Sequence, residues 1–107
     1  MTREEVAAIC KAMSDANRLR IIEMLTQGEK CGCNLLEELQ VTQPTLSHHM
    51  KVLLDCGLVS SYRDGKWQHY SINCDKFREY KEYIVAITCC KDTFEEKLSG
   101  HCCKTKK

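Results

Sequence analysis

A mainly α-helical fold with one β-hairpin, in the order ααααββα, is predicted by three observations. Apolar residues recur at helical spacing from Val6 to Leu54, with capping residues between the runs. After Gly57 the period shortens to a rough alternation on either side of Asp64-Gly65, a strong hairpin turn signal. A helical pattern then returns from about Asn73.

Val6, Ile9, Cys10 and Met13 lie at i, i+3, i+4 and i+7, the apolar stripe of a first helix. Cys10 on that stripe is expected to pack as a small buried hydrophobe. Ser14 or Asp15 can cap a second helix that turns Leu19, Ile22 and Leu25 inward and ends near Gly28. Asn34 and Glu37 have capping-box spacing, which predicts a short third helix from about Leu35 to Leu39. Gln40-Val41 is the turn. Thr42 then caps a fourth helix with Pro44 in its first turn, where a missing N–H costs little. Leu46, Met50, Leu53 and Leu54 form its buried side, and Gly57 fits a left-handed stop. Leu58 to Arg63 and Trp67 to Ile72 read as paired strands. Asn73 or Asp75 can start the last helix, with Phe77, Tyr80, Ile84 and Ile87 on one face. Residues 1–91 are therefore expected to form one domain, and 92–107 a charged tail containing cysteines.

At 107 residues, 43% of them hydrophobic, the chain is the size of one compact domain with one core. With two Phe, one Trp and four Tyr, that core must be aliphatic. The net charge of +1 does not mark a nucleic-acid binder, although Lys and Arg concentrated on one face can still serve a phosphate backbone. The charged start, Met1-Thr2-Arg3-Glu4-Glu5-Val6, contains neither a signal peptide nor a membrane span, so a cytoplasmic protein with no membrane partner is expected. Nine cysteines are the most informative part of the composition. Their odd number, in a chain that does not need disulfides to build a core, predicts reduced thiols. Three close pairs among them point to a soft-metal ligand set or to redox chemistry.

A short helix, a tight turn, a second helix and an immediate hairpin make a winged helix-turn-helix. The fourth helix, Thr42 to about Asp55, is the candidate recognition element. Its apolar residues point to one side and leave Gln43, Thr45, Ser47, His48 and Lys51 for base edges and phosphates. Arg63 and Lys66 at the wing tip supply cations for backbone or minor-groove contact. His49 is placed to pack as a satisfied core histidine, and His48 to meet DNA. Adjacent helical residues diverge by about 100°, which argues against the two sharing a metal.

Met13-Ser14-Asp15-Ala16-Asn17-Arg18-Leu19-Arg20-Ile21-Ile22, the string from Gln43 to Leu53, and Gly57-Leu58-Val59 resemble the ArsR/SmtB metalloregulators. The resemblance runs from about Val6 to Ile87 and is closest to the repressors of arsenical-resistance operons. It implies a homodimer formed by the first and last helices. It also implies repression of double-stranded operator DNA in the ligand-free state, with release on ligand binding. Two recognition helices in such a dimer must reach half-sites roughly 34–36 Å apart.

Cys31-Gly32-Cys33 stands where the family's arsenic, antimony, cadmium and lead sensors carry Cys-x-Cys. Residues two apart on a regular helix point about 200° apart, but before an Asn34 cap Gly32 permits a bend that converges the thiols. Helix N-terminal dipoles favour thiolate there. A chelate at this point is expected to distort the third helix and shift the recognition helix out of its DNA-competent state. The arsenical pattern continues as Cys-x-Cys-x-x-Cys, and its last position here is Leu36. The vicinal pairs Cys89-Cys90 and Cys102-Cys103 could supply the missing sulfur or form a second site. Cys56 and Cys74 are read as structural. The family's zinc and nickel sites on the last helix are not completed by Asp75, Arg78 and Glu79.

The expected inducers are As(III) or Sb(III), with Cd(II) or Pb(II) as the alternative, because thiolates suit all four. A repressor switched by thiol oxidation would share the same fold. A zinc-stapled interaction module lacks four well-spaced ligands. No catalytic residues are assigned, since a vicinal-thiol reductase would want a βαβ scaffold.

Overall fold

The structure, a computed structural model, describes residues 1–87. Cys89, Cys90, Cys102, Cys103 and the boundary at 91 lie outside the described residues. The elements are α1 (Arg3–Ala12), α2 (Ala16–Leu25), β1 (Lys30–Cys31), α3 (Gly32–Leu39), α4 (Gln43–Asp55), β2 (Val59–Asp64), β3 (Trp67–Ile72) and α5 (Cys74–Ile87). The three strands form an antiparallel sheet in the order β1-β3-β2.

Local chemistry sets most boundaries. Thr2 and Glu5 close a capping box at α1: the Thr2 hydroxyl accepts from the Glu5 N–H (3.1 Å), and the Glu5 carboxylate accepts from the Thr2 N–H (2.8 Å). Asp15 caps α2 by accepting from the N–H groups of Asn17 (2.8 Å) and Arg18 (3.2 Å). Thr42 caps α4 through the Thr45 N–H, and Asn73 accepts from the Lys76 N–H at the start of α5. Gly57 follows α4 with φ 88°, the left-handed geometry expected of it. A Cβ at Gly57 would stand 2.8 Å from Lys76 Cε. The hairpin pairs Asp64 with Trp67, so its two-residue loop is Gly65-Lys66. Gly65 has φ 65° and Lys66 does not have positive φ, the pattern of a type II′ turn.

The core is aliphatic. Ile9, Ile21, Leu35, Met50, Leu53 and Leu58 are its largest fully buried side chains. Phe77 and Tyr80 of α5 pack against it from the side. Two inward assignments are corrected. Leu19 is 41% exposed, and Ile21 joins Ile22 and Leu25 inside. Arg18 turns inward instead, with its Nε donating to the Ala12 carbonyl (2.6 Å). Cys10 is exposed rather than buried, because Ala12 completes the stripe of Val6 and Ile9. Its sulfur lies 3.7 Å from the Tyr80 hydroxyl.

The third helix is also corrected. It begins at Gly32, and Cys31 rather than Asn34 is its N-cap. Asn34 sits in the first turn, where its side-chain oxygen accepts from the Cys31 N–H (3.4 Å). The cause is tertiary. Lys30 and Cys31 pair with Tyr70 and His69 of β3, which holds Cys31 extended and leaves the next residue free to start the helix.

Candidate functional site

α3 and α4 meet at Gln40, which takes up a left-handed conformation (φ 55°) and turns the chain sharply. α4 buries Leu46, His49, Met50 and Leu53, one stripe at i, i+3, i+4 and i+7. His49 is buried, with Nδ1 3.0 Å from Arg18 Nη1 and Nε2 4.0 Å from the Asp15 carboxylate. The expected satisfied core histidine is thus observed. Asp15 also caps α2: desolvation works against its charge, yet the N–H groups of Arg18 and Asn17 hold its pKa below the ordinary value.

Gln43, Thr45, Ser47, His48 and Lys51 are all exposed on α4. They do not form one group. Gln43 and Ser47 share a cleft of about 300 Å³ with Arg63, Lys66 and Trp67 of the wing. His48 lies on the other flank, beside Ala8, Lys11 and Val52. The Thr45 hydroxyl accepts from the Thr42 hydroxyl (2.9 Å), and Lys51 pairs with Asp55 (3.2 Å) across one turn. At the wing tip Lys66 Nζ stands 5.9 Å from the centre of the Trp67 ring.

Cys33 opens onto the same cleft, together with Gly32, Leu36 and Tyr70. Cys31 and Cys33 are joined as a disulfide with Cα atoms 5.4 Å apart, which corrects the expectation of reduced thiols at this pair. The divergence of about 200° for residues two apart does not apply, because only Cys33 is helical (Cys31 φ −88°, ψ 162°). Gly32 contributes no unusual backbone angle. The sheet does the bending. Among the described residues, no three His, Cys, Asp or Glu side chains converge to hold a metal ion. Of the two cysteines read as structural, Cys56 is half-buried, with its sulfur 3.4 Å from the Leu53 carbonyl and burial pushing its thiol pKa up. Cys74 is exposed.

One network at this site escaped the sequence reading. The Tyr62 hydroxyl donates to the Glu29 carboxylate (2.7 Å), and His69 Nδ1 lies 3.2 Å from the same oxygen. Tyr62 and His69 stack with ring centres 5.1 Å apart. The hydrogen bond to Glu29 holds the Tyr62 pKa above the ordinary value. Because His69 is the register partner of Cys31, this network ties the thiol segment to the wing. A two-residue strand is too short to show a period, so nothing in the sequence pointed to it.

A recognition helix flanked by a basic wing, on a helical core of this order, defines a winged helix-turn-helix DNA-binding regulator. Residues 15–61 match the family described as bacterial regulatory protein, arsR family. An arsenical resistance operon repressor of Staphylococcus aureus is 48% identical over 73 residues, covering 68% of this chain and 70% of that one. One from Staphylococcus xylosus is 44% identical over 84 residues, covering 78% and 77%. The solution structure of a homodimeric winged helix-turn-helix domain from Mycobacterium bovis, a possible ArsR-family regulator, is similar with a TM-score of 0.66. It is 30% identical, and 78% of each chain is covered. The chain belongs to the arsR family of bacterial regulatory proteins. Among the described residues no helix is long and apolar enough to cross a membrane.

Proposed function

We propose that the protein is a dimeric transcriptional repressor of the cytoplasm that leaves its operator when As(III) or Sb(III) binds the reduced thiolates of Cys31 and Cys33. The observation that carries this reading is a shared cleft. Cys33, bonded to Cys31, faces the same space as Gln43 and Ser47 of the recognition helix and Arg63 and Lys66 of the wing. An ion held between the two sulfurs therefore acts next to the DNA-reading surface.

In DNA binding, Gln43, Thr45, Ser47 and His48 read bases, while Lys51, Arg63 and Lys66 meet phosphates. Dimerisation falls to α1 and α5. α5 buries none of its residues completely within the chain and leaves Ile87 67% exposed. On release, a chelate replacing the disulfide changes the spacing of β1 and the first turn of α3. α3 supports α4, and β1 is hydrogen-bonded to the wing through β3. For an inorganic ion the third sulfur comes from Cys89, Cys90, Cys102 or Cys103, with an exogenous thiol as the alternative. Cd(II) and Pb(II) are the alternative inducers, since thiolates bind them as well.

Release of labelled operator by each ion, with and without oxidant, tests the proposal. Release by As(III) and Sb(III) under reducing conditions is the expected result. Release by oxidant alone, with no effect of any ion, would instead make the Cys31–Cys33 disulfide the signal and the protein a redox-switched repressor.

A further inference from the structure

The wing leaves the core at its first residue. Along β2 only Val59 is buried, and the residues from Ser60 to Asp64 are exposed. Arg63 lies beyond Val59 by roughly 13 Å at strand spacing. A two-stranded ribbon is marginally stable and twists readily, so its tip needs a restraint beyond its own ladder. The remaining strand supplies little, because β1 pairs with β3 only at Lys30 and Cys31. Tyr62, the neighbour of Arg63 in the chain, lays its ring over His69 of the middle strand. Its hydroxyl thereby reaches the Glu29 carboxylate just ahead of β1 (2.7 Å). This contact joins the two outer strands of the sheet, whose backbones do not pair.

We infer that Tyr62 and Glu29 are positioning residues for DNA binding: their hydrogen bond braces the wing across the sheet and holds Arg63 and Lys66 where the phosphate backbone meets them. The inference rests on the reading of those two cations as DNA contacts. Neither brace residue needs to touch DNA. Glu29 is ill suited to do so, since a carboxylate repels phosphate. Its charge and its hydrogen bond therefore act on affinity in opposite directions.

That opposition separates the brace from simple electrostatics. Glu29→Ala removes the charge and the hydrogen-bond acceptor together. Glu29→Gln removes the same charge but keeps an oxygen that can accept from the Tyr62 hydroxyl. Tyr62→Phe removes the hydroxyl alone, leaving the ring on His69 and every charge in place.

The test measures operator binding by the full chain as a function of salt, using fluorescence anisotropy under one set of redox conditions. Tyr62→Phe, Glu29→Ala and Glu29→Gln are each compared with and without Arg63→Ala, and urea denaturation follows their stability. Tyr62→Phe and Glu29→Ala should each weaken operator binding at least about threefold, the second despite losing a negative charge. Glu29→Gln should bind at least as tightly as the wild type. In the Tyr62→Phe background, Arg63→Ala should cost far less than it does alone and should no longer lower the salt slope. Residues that only stabilised the fold would shift the urea midpoint and leave the Arg63 effect undiminished. Wild-type affinity in both Tyr62→Phe and Glu29→Ala overturns the inference, as does full additivity with Arg63→Ala or an equal loss in Glu29→Gln and Glu29→Ala. If Arg63→Ala and Lys66→Ala alone leave affinity and salt slope unchanged, the reading of the wing as a DNA contact fails, and the brace fails with it.

Discussion

Asp15 caps α2 with one oxygen while facing the buried His49 ring, and Arg18 reaches the same ring from the next turn. This cluster fastens α1, α2 and the recognition helix together. The lowered pKa of Asp15 has a definite sign. Its ionised form contributes stability above the unfolded-state pKa, and that contribution is lost as pH falls through the lower folded value. Thermal melts between about pH 6 and about pH 3 should therefore show Asp15→Asn, which keeps the cap, losing less stability on acidification than the wild type. Parallel curves would contradict this. The His49 side of the cluster was legible, because its spacing to Val52 and Leu53 put it on the apolar face. Arg18 was not legible. A charged residue at an inward position is recognised only when its partners are known, and Leu19 was given its place.

The turns were read well wherever a side chain or a glycine dictates them: Asp15, Thr42, Gly57 and Gly65 all do what their chemistry requires. Gly57 joins the recognition helix to the wing, and its substitution by Ala meets both a positive φ and a close Lys76 side chain. Gly57→Ala should cost about 1 kcal/mol or more in chemical denaturation, and a neutral result would mean that the joint is compliant. Thr42→Ala should cost about 1 kcal/mol through the lost cap, measured in the same way. The start of α3 was misread for a different reason. Asn34 satisfies the rule for a cap, but pairing of Lys30 and Cys31 with β3 moves the helix start to Gly32. That pairing joins residues about forty apart in the chain, and no local pattern reports it. It is also what turns the thiol pair toward the wing.

The proposed dimeric repressor would place two recognition helices on one duplex, and salt-sensitive dimeric binding to an imperfect inverted repeat is the behaviour that reading predicts. Ser47→Ala or His48→Ala should weaken specific binding more than nonspecific binding. Arg63→Ala or Lys66→Ala should weaken both and lower the salt slope by about one. Equal losses on every sequence for all four variants would refute the assigned recognition surface. The fold was legible because each element carries its own periodicity and caps. The cleft uniting Cys33 with Ser47 and Arg63 was not, because it forms only when the hairpin strands β2 and β3 fold back beside α3 and α4. The account turns on the thiols at that cleft, and operator release by As(III) from reduced Cys31→Ser and Cys33→Ser proteins tests it most directly. Each variant should bind operator as tightly as the wild type and lose most of its response to As(III), since one local thiolate holds the ion weakly. A protein lacking both cysteines that is still released at the wild-type concentration of As(III) would contradict the account.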